Sequence, residues 1–440
     1  MVRVLFLAAT LALLPLAAAA QTLPAAPTAV AAPELSQRIA ELPAMIRGEG
    51  DYAAYFAPAF RAQIPPDKFA QVAQQLVAAN GAVQRVESVT PLSTHAAMLR
   101  LGFADGIADV KIAVDPAAPH QVTGLLIAGF AARAATLDAV VQALQAEPGL
   151  TGFAFARLGS GAPELLKAAD ADRPLAIGSA FKLVILAELV RQTNAGLRTW
   201  DDLVTLDGRE LPGGAYTPSP KGTQVSLREL AGKMISVSDN SATDILLATL
   251  GREQVEAMLP VVGVEAAARN RPYLSTLEMF KLKGVAKGAL GDRWTVADEA
   301  GRRAMLAEID AQPNAAIDPM LFKDGKPLRI DTIEWFFSPT DLIRTMDWLR
   351  RNTEGPKGAE ARAILSKNPG IGPTRAGDWA YVGYKGGSEP GVMSMSLLLQ
   401  SKQGGWYALS AAWNNSAAEV DEARFAGLVS RAAELAAGVR

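Results

Sequence analysis

Phe181, Val184, Ile185 and Leu189 are apolar at three-to-four spacing, and no Gly or Pro interrupts the run after Gly178. That period predicts a helix from Ile177 to Val190, buried nearly all round. Ser179 and Lys182 lie three residues apart in it and so share a face. Other helical runs are Leu35 to Met45, Pro66 to Ala79, Ala135 to Ala146, Leu227 to Met234, Asn240 to Leu250, Ser338 to Arg351 and Ala417 to Val439. Alternating or β-branched runs predict strands at 86–89, 96–101, 108–114 and 122–127. Further strands are expected at 152–158, 379–385, 392–400 and 406–413.

These elements fall into two groups. Residues 34–130 read as a small α+β domain, helices first and strands after. Residues 131–440 have strands at both ends with helices between, the pattern of one antiparallel sheet covered by helices. Residues 1–20 carry a short basic start, an apolar stretch from Val4 to Leu16, and Ala18-Ala19-Ala20 before Gln21. That is the pattern of a secretory signal peptide cleaved near Ala20, and it predicts a periplasmic or secreted protein. Residues 21–33 are an Ala/Pro-rich linker. No later apolar run reaches the length of a membrane span.

Composition narrows the chemistry. Forty-three basic residues against 45 acidic ones give no charge excess that would point to nucleic acid. The chain has no cysteine, hence no disulfide, no thiol nucleophile and no thiolate metal site. Its two histidines, His95 and His120, both precede residue 131 and lack ligand-spaced partners. No metal or other cofactor is expected, and the second domain has no histidine for a Ser-His-Asp triad.

A lysine embedded in apolar helix is costly as a cation and gives up its proton more readily than a surface lysine. Lys182 is therefore suited to take a proton from the Ser179 hydroxyl, although a capping serine and a snorkelling lysine would show the same spacing. Two later stretches change the weight of that pair. Ser238-Asp239-Asn240 stands where one helical run meets the next, and Lys385-Gly386-Gly387-Ser388 ends a β run. Singly they read as a helix cap and a hairpin turn. In this order, S-x-x-K, S-D-N and K-G-G resemble the three-part signature of the penicillin-recognising serine hydrolases.

The resemblance implies roles. Ser179 would be acylated, Lys182 would activate it, and Ser238 would relay a proton towards the leaving group. Asn240 would hold an acyl-amide side chain, and Lys385 would meet a substrate carboxylate. The glycines, Gly387 among them, would let the strand edge approach the substrate. The backbone N–H groups of Ser179 and of Ser388 or Glu389 would form an oxyanion hole. Residues 135–440 look like a class A β-lactamase-type domain, in which Tyr216 would wall the substrate cleft. The preceding domain resembles small ketosteroid-isomerase-like folds. The two-domain arrangement resembles β-lactamase-like proteins of clavulanate gene clusters and their mycobacterial lipoprotein relatives.

The chain departs from that family after the S-D-N. The deacylating glutamate of an E-x-x-L-N loop is missing from Arg269 to Phe280, where Arg271 is followed by Pro272-Tyr273. Glu278 is the nearest substitute, although a salt-bridged structural role fits it as well. Residues 284–330, including a charged helix from Val296 to Ile309, read as an insertion near the cleft mouth. The expected substrate is a small acyl compound: a β-lactam, an ester or a peptidoglycan-like peptide. The alternatives are an esterase or D,D-peptidase-like hydrolase with little β-lactamase activity, and a slow cell-wall or lactam-binding protein. The sequence names no partner for residues 34–130.

Overall fold

The computed structural model describes residues 30–438. The expected signal peptide and most of the Ala/Pro-rich stretch lie outside the described residues. Among the described residues no helix is long and apolar enough to cross a membrane.

The first unit opens with α1 (Pro33–Arg47) and α2 (Pro66–Asn80). Leu35, Ile39 and Leu42 recur on one face of α1, which ends at Gly48 in the left-handed conformation, φ 77°. Two short turns, Tyr52–Tyr55 and Pro58–Gln63, follow α1 and had no periodic signal. An antiparallel meander, β1 (Val83–Ser93), β2 (Ala96–Phe103), β3 (Gly106–Val114) and β4 (Val122–Ala132), completes the unit. Leu99 and Leu101 on β2, with Val110 and Ile112 on β3, share one buried cluster with the α1 stripe. Period-2 alternation puts them on the covered side of the sheet. His95 and His120 sit in turns of this meander, each bonded within its own turn.

The second unit begins with α3 (Leu137–Gln145), β5 (Leu150–Leu158), β6 (Glu164–Ala169) and the two-residue strand β7 (Leu175–Ala176). Helices α4 (Lys182–Asn194), α5 (Leu227–Ser236), α6 (Asn240–Leu250) and α7 (Thr276–Gly284) follow. Then come β8 (Phe336–Phe337), α8 (Pro339–Asn352), β9 (Tyr381–Glu389), β10 (Val392–Gln400), β11 (Trp406–Asn414) and α9 (Glu422–Ala436). The main sheet runs β9-β10-β11-β5-β6, antiparallel throughout. Its strands are apolar on both faces, but unequally. Phe153, Phe155, Leu397, Leu409 and Trp413 point to the α3/α9 side. Ala154, Ala156 and Ala408 point to the other, where α8 lies across the sheet. Small residues there let the helix come close. β9 and β6 are the two edges of this sheet, and the outer flank of β9 meets the turn before α4.

Helix α9 joins the two units, packing on the main sheet and also along β4. Beside it Arg375 forms a buried ion pair with Asp109 of β3. The charged helix expected over 296–309 runs from Glu299 to Asp310, and a separate helix, Ala289–Val296, precedes it. Asp298 divides them by capping the second, its carboxylate accepting from Gly301 N at 2.8 Å.

Candidate active site

The serine stands on a turn held from both sides. Ile177 N donates to Trp335 O at 3.1 Å, and β7 pairs with β8. Gly178 then takes φ +48°, and Gly178–Phe181 winds as a 3-10 turn. The helix proper starts at Lys182, so Ser179 sits on the turn that feeds it rather than inside the helix expected from the period. Phe181 stacks on Trp335, centroids 3.6 Å apart, and Tyr273 donates from its hydroxyl to Phe181 O at 2.8 Å. This packing fixes the turn, while Ser179 itself stays half-buried on the wall of a cavity of about 140 Å³.

Strand β9 closes on that turn through glycine. A Cβ on Gly387 would lie 2.0 Å from Ile177 O and 2.4 Å from Ser179 N; one on Gly178 would lie 2.9 Å from Ser388 N. Neither position tolerates a side chain. The result is an open strand edge with the Ser388 amide brought against the Ser179 turn. Two backbone N–H groups beside one hydroxyl suit a developing oxyanion.

The S-D-N segment is the corner between α5 and α6. Ser238 has φ 59°, a left-handed conformation rarely held by a non-glycine residue. Asp239 anchors the corner by accepting from Ala242 N at 2.8 Å, Ser241 Oγ at 2.6 Å and Ala215 N at 2.7 Å. Lys182 Nζ donates to Ser238 O at 2.7 Å, Asn240 Oδ1 at 2.7 Å and Ser238 Oγ at 3.2 Å. Lys385 Nζ, from β9, donates to Ser238 Oγ at 3.0 Å and to Gly386 O. One hydroxyl thus receives two amines. Both lone pairs are used, which leaves its O–H as the group free to donate.

Burial pushes the Lys182 amine down to about 7, against a weaker upward pull from Asp244 and Asp239. Lys385 is driven well below the usual lysine range, first by burial and then by the Lys182 charge. Ser179, Lys182, Ser238, Asn240, Lys385, Gly387 and Ser388, from three separate stretches of sequence, are therefore brought together.

Two expected residues are not. Glu278 caps α7, bonding with Ser275 in both directions, and its carboxylate is paired with Arg252 at 2.6 and 3.0 Å. Both of its carboxylate oxygens are thus engaged by the helix cap and Arg252 rather than by any residue of the Ser179 site. Tyr216 is buried, its backbone N bonded to Ser241 Oγ and its hydroxyl to Glu229, and it does not line the Ser179 cavity. It braces the S-D-N corner instead. A wider hollow of about 380 Å³ over Leu165 to Arg173 contains none of the motif residues.

The cavity wall also holds residues with no motif of their own: Thr276, Phe322, Glu334 and Glu389. Glu389 directly follows the K-G-G-S run, which was the one available signal. Phe322 comes from the 284–330 stretch and brings it to the Ser179 cavity.

Residues 132–312 match the model of a family described as the beta-lactamase enzyme family. Among solved structures, the chain is similar to a β-lactamase from Sphaerobacter thermophilus, at 20% identity and TM-score 0.48, over 69% of this chain and 96% of that one. It is also similar to a β-lactamase from Chitinophaga pinensis (17%, TM-score 0.45, 68% and 96%). A third likeness is to PBP-A (15%, TM-score 0.45, 68% and 93%). No curated protein matches the chain.

Proposed function

We propose that this chain, whose residues 132–312 match the beta-lactamase enzyme family, is a serine hydrolase acylated at Ser179 and deacylated by water. One observation carries the reading: the Ser238 hydroxyl is held between the amines of Lys182 and Lys385, beside the Ser179 turn. Lys182, about half unprotonated near neutrality, takes the Ser179 proton as Oγ attacks an acyl carbonyl. The Ser179 and Ser388 N–H groups take the developing negative charge. Ser238 passes a proton to the departing group, and Asn240 holds the acyl side chain.

Lys385 favours substrates that carry a carboxylate. It is buried with neutral hydrogen-bond partners, so an arriving anion would restore its charge. β-Lactams and peptides ending in a free carboxylate supply that anion; plain esters do not. The Met1–Ala20 pattern supports export.

The test is intact-protein mass and substrate loss after incubation with a penicillin and a cephalosporin, for wild type and Ser179→Ala. An adduct or turnover that requires Ser179, and weakens when the penicillin carboxylate is methyl-esterified, is the expected result. Equal behaviour of wild type and Ser179→Ala would sink the reading.

A further inference from the structure

The loop that should supply a deacylating carboxylate lends Thr276, Met279 and Phe280 to the Ser179 cavity but not Glu278, yet the cavity has carboxylates in its wall. They come from elsewhere in the fold. Glu334 immediately precedes Trp335, the residue stacked under the nucleophile turn, and Glu389 is the last residue of β9. Between them Lys283 Nζ, on α7, donates to Glu389 Oε1 at 2.5 Å and to Glu334 Oε1 at 3.2 Å. The side chains of Lys283 and Glu334 are 0% exposed and that of Glu389 7%.

One lysine cannot satisfy two carboxylates. Glu334 Oε2 accepts from Trp335 N at 3.3 Å, whereas Glu389 Oε2 is buried without a hydrogen-bond donor. Thr276 Oγ1, on the same wall, also lacks a partner. Buried polar atoms without partners are costly, and water is their usual partner in a polar cavity. At roughly 30 Å³ per water, a cavity of about 140 Å³ has room for several waters beside the Ser179 turn. Burial, with Glu334 adding to it, pushes the Glu389 carboxyl well above the usual range, and Lys283 pulls back less. In its ionised form a carboxylate so placed is a stronger base than an exposed one, and Glu334 beside it is where a proton shared by the pair can rest.

We infer that Glu389, backed by Glu334 and Lys283, is the base that activates the deacylating water. The inference rests on the acyl-hydrolase reading. In the step, water oxygen bonds to the acyl carbon while one water proton passes to Glu389 Oε2. The carbon–Oγ bond then breaks, the same proton returns through cavity water to Ser179 Oγ, and the product leaves as a carboxylic acid. The assignment puts the base on the strand that also carries Lys385 and the oxyanion donor, not on a loop after the S-D-N.

The deciding experiment follows adduct mass over time after a pulse of benzylpenicillin or p-nitrophenyl acetate, in wild type, Glu389→Gln and Glu334→Gln. Glu389→Gln is expected to acquire the Ser179 adduct and lose it roughly 100-fold or more slowly than wild type. Hydroxylamine, which needs no base to attack an ester, should then restore release in the variant, a rescue that damaged packing would not show. Wild-type release rates in Glu389→Gln, or a wild-type adduct that itself persists, would overturn the assignment and leave acylation at Ser179 standing. If wild type takes up no acyl group and consumes no substrate, the acyl-hydrolase reading falls with it. If a thermal melt shows Glu389→Gln unfolded, Glu334→Gln decides: slowed release with hydroxylamine rescue supports the carboxylate pair, and unchanged release rejects it.

Discussion

Lys182 and Lys283 are both fully buried on helices beside the same serine, and the fold pushes them in opposite directions. Lys182 donates to a backbone carbonyl, an amide oxygen and a hydroxyl, all neutral. Burial therefore prevails and its amine falls to about 7. Lys283 meets the same opposing burial, but Glu389 and Glu334 outweigh it, and the amine is raised. Depth alone does not make a lysine a base; the charge of its partners decides. One side of Ser179 is thus furnished with amines that release protons easily, the other with carboxylates anchored by a permanent cation.

The contrast predicts opposite outcomes for the same substitution. Lys182→Met should lower the rate of Ser179 acylation by roughly 10²–10⁴-fold, because the group that takes the hydroxyl proton is gone. Its melting transition should move little, since the variant loses a costly buried amine together with its hydrogen bonds. In wild type, acylation should rise with pH through about 7 as Lys182 loses its proton, and the step should vanish in Lys182→Met. The same shift fixes a stability slope. The unfolded lysine holds its proton up to the ordinary 10.5, so the neutral form's contribution is complete above that pH and is lost as pH falls through about 7. An acylation profile flat from pH 5 to 9 would break the comparison at its first term.

Lys283→Met should do the reverse. It leaves Glu334 and Glu389 buried together without a counter-charge, at a cost of about 3–5 kcal/mol in stability at neutral pH. Urea unfolding would measure the loss. It should shrink in acid, where the carboxyls are protonated in both folded and unfolded chains. A loss below about 1 kcal/mol at pH 7 would mean that the cluster carries no net charge to neutralise.

The two clusters were not equally legible. Lys182, Ser238 and Lys385 sit inside short motifs, because each is positioned by a local device: a 3-10 turn, a capped helix corner, a glycine-bearing strand end. The long strands of the second unit were readable for a related reason, since Phe153, Phe155 and Leu409 alternate with small residues. Lys283, Glu334 and Glu389 are assembled only by tertiary packing across 51 and 106 residues of chain. The segment that carries Lys283 gave no helical expectation in the sequence, yet α7 is enclosed on nearly every side. Glu278 was open to two readings, and the salt-bridged one holds. It has the right residue type near the right loop, but Ser275 three residues before it makes a capping box, a local signature that outranks a distant catalytic role.

The smallest effect concerns Tyr216. A residue that walls a substrate cleft and one that braces the S-D-N corner can occupy the same place in the sequence, and only the hydroxyl's partner separates them. Here that partner is Glu229, at 2.8 Å, on the exposed side of α5. The Tyr216 ring is buried in the core that packs around α4, and its amide holds Ser241 Oγ. Tyr216→Phe keeps the ring and the amide and removes one hydrogen bond that water at Glu229 can replace. Stability should therefore drop by about 1 kcal/mol or less, with kcat/KM for a penicillin unchanged. Tyr216→Ala, which empties the ring's place in the core, should cost about 3–5 kcal/mol and loosen the corner on which both amines of the site converge. A penicillin kcat/KM that fell tenfold in Tyr216→Phe would put the hydroxyl in the cleft and return Tyr216 to the substrate wall.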